Sequence, residues 1–194
     1  MKIEMIAFDA DDTLWHGEVH YLDALVELIE ILAPWGSPDQ IDTALAEIEM
    51  KNLPIYGYGV KAFVLSMIEG ALQISKGQIP THAIEKILSI GRAMLETEIV
   101  LLPHVTDTLE ELSRDYPLMV ITKGDLLDQT SKVSRSGLEK FFPLVEVVND
   151  KTPESYRLIL DKFQINPKNL VMVGNSIRSD VLPVLTLGGK AVYI

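Results

Sequence analysis

Residues Ile3–Trp15 read IEMIAFDADDTLW. Six mostly apolar residues, Ile3–Phe8, stop at an aspartate, and Asp9, Asp11 and Asp12 then fall within four positions. A short apolar run bounded by polar residues reads as a strand buried on both faces, the kind that parallel sheets use. Neighbouring carboxylates repel. Three crowded at a strand end call either for a cation among them or for the bland role of a polar turn.

Four later stretches repeat the apolar pattern: Leu118–Thr122, Val145–Val148, Leu170–Val173 and Ala191–Ile194. Helical patterns lie between them. Thr106–Asp115 carries Leu109 and Leu112 amid acids. Asp125–Ser136 is closed by Gly137 and Leu138, a glycine C-cap with an apolar residue after it. Thr152-Pro153-Glu154 opens a helix that runs to Phe163, with threonine as N-cap and proline at the first position. Ser179–Leu187 reads as helical, bent at Pro183 and ended by Gly188-Gly189. Strands alternating with helices predict a doubly wound parallel (Rossmann-like) α/β sheet of five strands.

The stretch His16–Glu98 breaks this alternation. It has no convincing strand. It reads as amphipathic helices over Tyr21–Leu32, Ile41–Met50, Val60–Ile74 and Thr81–Leu95. Ser37-Pro38-Asp39-Gln40 is a capping box that starts the second of them. Pro54 and the glycines of Tyr56–Gly59 separate the second from the third. At roughly 80 residues it is far longer than an ordinary crossover, so the expectation is an inserted all-helical domain. The expected division is residues 1–15 and 99–194 as α/β core and residues 16–98 as helical insertion.

Composition narrows the function. The chain has 194 residues, 47% of them hydrophobic, enough for a sizeable core. Its formal net charge of −11 repels nucleic-acid phosphates and anionic membranes. With no cysteine there is no disulfide, no thiolate nucleophile and no cysteine zinc site. No uncharged apolar run approaches the ~18 residues of a membrane span. Glu4 and Asp9 interrupt what a signal peptide would keep apolar, so a cytoplasmic location is expected. The expected partner is a small molecule, with neither nucleic acid nor membrane; the sequence sets no oligomeric state.

In an open parallel sheet, ligands bind at the carboxyl ends of the strands. Each strand here is followed there by polar groups: Asp9 and Asp11 after the first, Thr122, Lys123 and Asp125 after the second, Asp150 and Lys151 after the third, and Asn175, Ser176 and Asp180 after the fourth. Singly, each is an ordinary turn or cap residue. Together they fit phosphoryl transfer. A carboxylate can be the nucleophile, a second carboxylate the general acid and base, hydroxyl and ammonium groups can hold the transferring oxygens, and carboxylates suit Mg²⁺.

FDADDTLW resembles the first motif of the haloacid dehalogenase-like hydrolase superfamily, an Asp-x-Asp followed by Thr-Leu. Thr122 after LMVI resembles the second motif, Lys151 in DKTPESY the third, and VGNSIRSD the fourth. The family often carries a helical cap between its first two motifs, where His16–Glu98 falls. The resemblance implies a phosphatase for a small phosphorylated metabolite. It assigns Asp9 as nucleophile and Asp11 as proton donor and then base. It assigns Thr122, Lys123 and Lys151 to the phosphoryl group, and implies Mg²⁺ held by Asp9, Asp11 through its carbonyl, and Asn175 or Asp180. Two departures stand out: Asp12 replaces a frequent glycine, and Asn175 replaces a common metal-binding acid. A phosphomutase, a 2-haloacid dehalogenase and a non-catalytic phosphate-binding relative stay open as alternatives. The dehalogenases of the family lack the second aspartate of the first motif, and Asp11 is present here.

Other features carry less. His16 and His20 lack the glutamate directly after the first histidine that a zinc-protease helix needs. Leu187–Ala191 lacks the first glycine and the final hydroxyl of a phosphate-binding loop. Tyr56-Gly57-Tyr58-Gly59 reads as a helix–helix turn, with a substrate lid as the alternative.

Overall fold

The computed structural model describes residues 2–194. The apolar runs form strands β1 (Met5–Phe8), β2 (Leu118–Lys123), β3 (Leu144–Val148), β4 (Leu170–Gly174) and β5 (Lys190–Tyr193). They pair in parallel, in the order β3-β2-β1-β4-β5. β1 is central and all four of its residues are buried, as its unbroken apolar character requires. The connections run outward from β1 in both directions, so the topological switch point lies between β1 and β4.

Side chains alternate across a strand, and the two faces of the sheet therefore make two cores. On one face Met5, Ala7, Met119, Ile121 and Met172 pack against Tyr156, Ile159 and Leu160 of α7 (Pro153–Lys162) and Val184 of α8 (Leu182–Thr186). On the other, Ile6, Phe8, Leu118 and Val120 pack against Leu109 of α5 (Val105–Leu112) and Val133 of α6 (Leu126–Arg135). Helices on both faces are what parallel crossovers produce.

The chain divides into two compact units, Met1–Gly17 with Glu98–Ile194, and Glu18–Thr97. The second unit is built from α1 (Glu18–Leu32), α2 (Pro38–Tyr56), α3 (Val60–Ile74) and α4 (Thr81–Glu96). Its core holds Leu28, Leu32, Ile41, Leu45, Phe63, Met67, Ile87 and Ile90. The Ser37 hydroxyl accepts from the Gln40 amide while the Gln40 side chain accepts from Ser37 N, so the capping box forms as its sequence indicates. α2 runs past Met50 to Tyr56. Pro54 sits in the last turn, where only one backbone bond is lost. The Gly57 N–H then closes the helix on Leu53 O at 3.0 Å. Gly57 (φ 72°) and Gly59 (φ 112°) make the turn into α3, conformations that side chains disfavour. Tyr56–Gly59 is a helix–helix turn.

One element differs more sharply. In place of a helix from Ser179 bent at Pro183, the chain makes a wide π-type turn over Ile177–Val181, and α8 starts at Leu182. Ser176 O takes both Asp180 N (2.8 Å) and Val181 N (3.3 Å). Pro183 sits in the first turn of α8, where its missing N–H costs little. Among the described residues no helix is long and apolar enough to cross a membrane.

Candidate active site

Asp9 is the first residue beyond β1. Its amide donates to Val173 O of β4 (2.9 Å), which places it at the switch point. Its carboxyl is buried, with the residue 8% exposed. Lys151 Nζ donates to Asp9 Oδ1 and, at 2.7 Å, to Asp180 Oδ1. Thr13 Oγ1 donates to Asp9 Oδ2 at 3.4 Å. Lys151 is itself buried and enters from the loop after β3. Its amide is tied to Asp150 Oδ1 (2.9 Å), and the Thr152 capping box starts α7 directly behind it.

Asp180 reaches this cluster because of two local features. The π-type turn folds its carboxyl back, so that Oδ2 accepts from Ser176 N at 3.0 Å. Gly174 then leaves room: a Cβ there would lie 2.4 Å from Asp180 Cγ and Oδ2. The buried set thus holds two carboxylates and one ammonium. Burial pushes the Asp9 carboxyl up; Lys151 pulls it down and Asp180 pushes it up again, with a net rise. The cluster is short of positive charge.

Lys123, last residue of β2, places Nζ 3.2 Å from Ser179 Oγ. Partial burial pushes its ammonium down, against the pull of Asp150. Thr122 is fully buried, its hydroxyl donating to Gln129 Oε1 at 3.1 Å. Asn175 follows Gly174 and is half-buried. Among the described residues no three acids or histidines are grouped for a metal. The Asp9 and Asp180 carboxylates meet at Lys151, and the residues that follow β1 and β4 offer further oxygens, the Asp11 carbonyl and the Asn175 amide oxygen. Such a set, with an uncompensated buried charge, fits a hard divalent cation.

Asp11 has different company. Trp15 Nε1 donates to its Oδ1 (2.8 Å), Gln129 Nε2 to its Oδ2 (2.9 Å), and Lys132 Nζ lies 3.1 Å from Oδ1. Its side chain keeps 30% exposure. Lys132 also faces Asp128 Oδ2 at 3.4 Å, and burial pushes the Asp128 carboxyl up. Asp12 is a turn residue. It takes the left-handed conformation (φ 59°) that aspartate tolerates, and its carboxyl accepts from Gly17 N at 2.9 Å. That accounts for an acid where glycine is frequent.

The structure therefore joins Asp9, Lys151 and Asp180 by direct contact. Gln129 joins Thr122 to Asp11, and Lys123 meets the cluster through Ser179. Gln129 and Lys132 escaped the sequence reading. The available signal was Val133, which faces the core; Gln129, one helical turn before it, shares that face.

The sheet, ordered 3-2-1-4-5, thus carries an aspartate at its switch point, with a lysine and a second acid brought onto it. Residues 3–184 match the family model described as "Hydrolase: haloacid dehalogenase-like hydrolase", and the chain belongs to that family. A haloacid dehalogenase-like family hydrolase from Xanthomonas campestris is similar in structure, with TM-score 0.94 and 39% identity over 98% of this chain and 81% of that one. The glyceraldehyde 3-phosphate phosphatase of Pyrococcus furiosus is 27% identical over 99% of this chain and 80% of its own length. The N-acylneuraminate-9-phosphatase of Mus musculus is 20% identical over 98% and 81%.

Proposed function

We propose that this hydrolase is a Mg²⁺-dependent phosphatase for a small phosphorylated metabolite and acts through an aspartyl-phosphate on Asp9. The observation that carries the reading is the division of labour between two aspartates. Asp9 is buried against Lys151 at the switch point, while Asp11, two residues on, is partly exposed and separately held. The phosphatase relatives support the substrate class.

In this reading an Asp9 carboxylate oxygen attacks phosphorus. The bond from phosphorus to the ester oxygen breaks, and its electron pair goes to that oxygen, which takes a proton from Asp11. Water then attacks the phosphoenzyme and gives a proton to the Asp11 carboxylate. The bond from phosphorus to Asp9 breaks, and its electron pair restores the carboxylate. Ester and water become alcohol and phosphate. Lys151 and Lys123 hold the phosphoryl oxygens, and the Thr122 hydroxyl joins them once it turns from Gln129 to donate to one. Asp9, Asp180, Asn175 and the Asp11 carbonyl would hold Mg²⁺, which when bound supplies positive charge opposite the charge on the transferring group. The helical unit, inserted in the chain between β1 and β2, is assigned the cap that selects the substrate. Carbon–halogen cleavage leaves Asp11 and its three donors without a task.

The test is hydrolysis of an aryl phosphate by wild type and Asp9→Asn, with Mg²⁺ and with chelator. Activity is expected only for wild type with Mg²⁺. Turnover that survives Asp9→Asn sinks the mechanism.

A further inference from the structure

Lysine and glutamine on a short surface helix ordinarily face water. On α6 the reverse holds. Leu126 and Leu127 are 65% and 70% exposed, whereas Gln129 and Lys132 are 2% and 8% exposed. Burying these polar groups has a cost unless each is matched, and the sheet face they meet would accept apolar side chains at least as well. The matches they find are long-range and specific. The Gln129 amide oxygen receives the Thr122 hydroxyl at 3.1 Å, and its Nε2 donates to Asp11 Oδ2 at 2.9 Å. Lys132 Nζ lies 3.1 and 3.4 Å from the two Asp11 oxygens. Gly124, at φ 143°, leaves the space Gln129 needs: a Cβ there would lie 3.3 Å from Gln129 Cγ and Nε2.

We propose that Gln129 and Lys132 are positioning residues of the reaction. They hold the Asp11 carboxylate in one orientation, and in the free enzyme the Thr122 hydroxyl fixes the Gln129 amide that does so. The proposal rests on the phosphatase reading. It gives the two residues no contact with substrate; they act through Asp11. Proton delivery to a leaving oxygen is sensitive to placement, and a displacement on the order of 1 Å costs about 10²-fold in rate.

The leaving group separates this role from a structural one. An alkyl phosphate leaves as a strong base and needs the Asp11 proton. A nitrophenyl phosphate leaves as a weak base and needs it little. Gln129→Leu and Lys132→Met are expected to lower kcat/KM for the alkyl ester about 10²-fold and for the nitrophenyl ester less than about threefold. Lys132→Arg, which keeps the charge, is expected to recover most of the alkyl activity. Equal losses on both esters, or none on either, overturn the proposal, as does a Lys132→Arg variant no better than Lys132→Met. If Lys132→Met does not fold, Gln129→Leu with the same ester ratio decides. A wild type inactive on both esters overturns the phosphatase reading instead, and this assignment with it.

Discussion

Replacing Lys151 by methionine removes the ammonium in contact with both Asp9 and Asp180 while keeping much of the side-chain volume. The Lys151 side chain is 1% exposed, and those of Asp9 and Asp180 are 12% and 1% exposed. Water cannot take over the pairing. Removing one partner of a buried ion pair costs about 3–5 kcal/mol. Here two carboxylates are stranded instead of one, but Asp9 offers relief, because burial already pushes its carboxyl up and it can take a proton. We expect a net loss of about 3 kcal/mol at pH 7.5 without metal, the lower end of that range. In a chain of this size each kcal/mol moves Tm by about 2–4 °C, so the α/β unit should melt roughly 6–12 °C earlier. The sign with pH follows because losing Lys151 removes the pull that lowers the Asp9 carboxyl, so its folded-state pKa rises further in the variant than in wild type. Its stability contribution is full below the unfolded carboxyl pKa and is lost as pH rises through the folded one. The deficit of Lys151→Met should therefore shrink on acidification from pH 7.5 towards pH 5. Asp9→Asn/Lys151→Met, which leaves one carboxylate, should recover at least half of the loss at pH 7.5. Thermal melts of the three proteins across that pH range measure all of this. A deficit below about 1 kcal/mol, or one that neither acid nor the second substitution relieves, refutes the charge reasoning.

Gly174→Ala places a methyl 2.4 Å from the Asp180 carboxyl. It should cost about 1–3 kcal/mol in a thermal melt and lower kcat more than tenfold, because Asp180 must move off Lys151; unchanged values in both would contradict the geometry. Asn175→Asp should lower the half-activating Mg²⁺ concentration about tenfold through the added ligand charge, and lower Tm in chelator, where the extra carboxylate has no cation. A Mg²⁺ titration of activity beside a melt in chelator reads both, and an unchanged titration would remove Asn175 from the ligand set. Glu49, on α2, has one buried carboxyl oxygen without a hydrogen-bond partner among the described residues, and burial and then Asp42 push its carboxyl up. Its raised folded-state pKa makes it costly at neutral pH, so Glu49→Gln should stabilise the helical unit by about 0.5 kcal/mol at pH 7, a value discounted for its half-exposed position. The gain should vanish near pH 4, which melts at the two pH values would show.

What was legible in the sequence, and what was not, divides by range. The strands were readable because a strand buried on both faces needs an unbroken apolar run, and Met5–Phe8 and the first four residues of β2 supply one. Asp9, Lys151 and Asp180 were readable as strand-end residues, since parallel topology sends every such end to one edge. Ser37 and Thr152 were readable because capping is settled within four residues. The π-type turn was not, because Pro183 is equally at home in a helix bend and in a first turn. The hydrogen bond from Ser176 N to Asp180 Oδ2 that accompanies the turn appears only in three dimensions.

Asp11 shows the same division within one side chain. Its spacing from Asp9 is a local fact, and it separates the phosphatase reading from the dehalogenase one. Its orientation is not local. Of its three donors only Trp15 lies nearby, while Gln129 and Lys132 come from 118 and 121 positions away. The pattern of α6 points the wrong way, because Leu126 and Leu127 claim a core face that Asp128, Gln129 and Lys132 in fact occupy. A mostly polar buried face offers little hydrophobic periodicity to read, and on α6 it is marked by Val133. It is fixed by Asp11 in the turn after β1 and Thr122 on β2, which parallel pairing of Phe8 with Val120 brings together. The residues that name the chemistry are therefore short-range signals, and those that aim it are long-range ones. Substitutions on α6 should accordingly change how the reaction depends on its leaving group, with the motif residues themselves left intact.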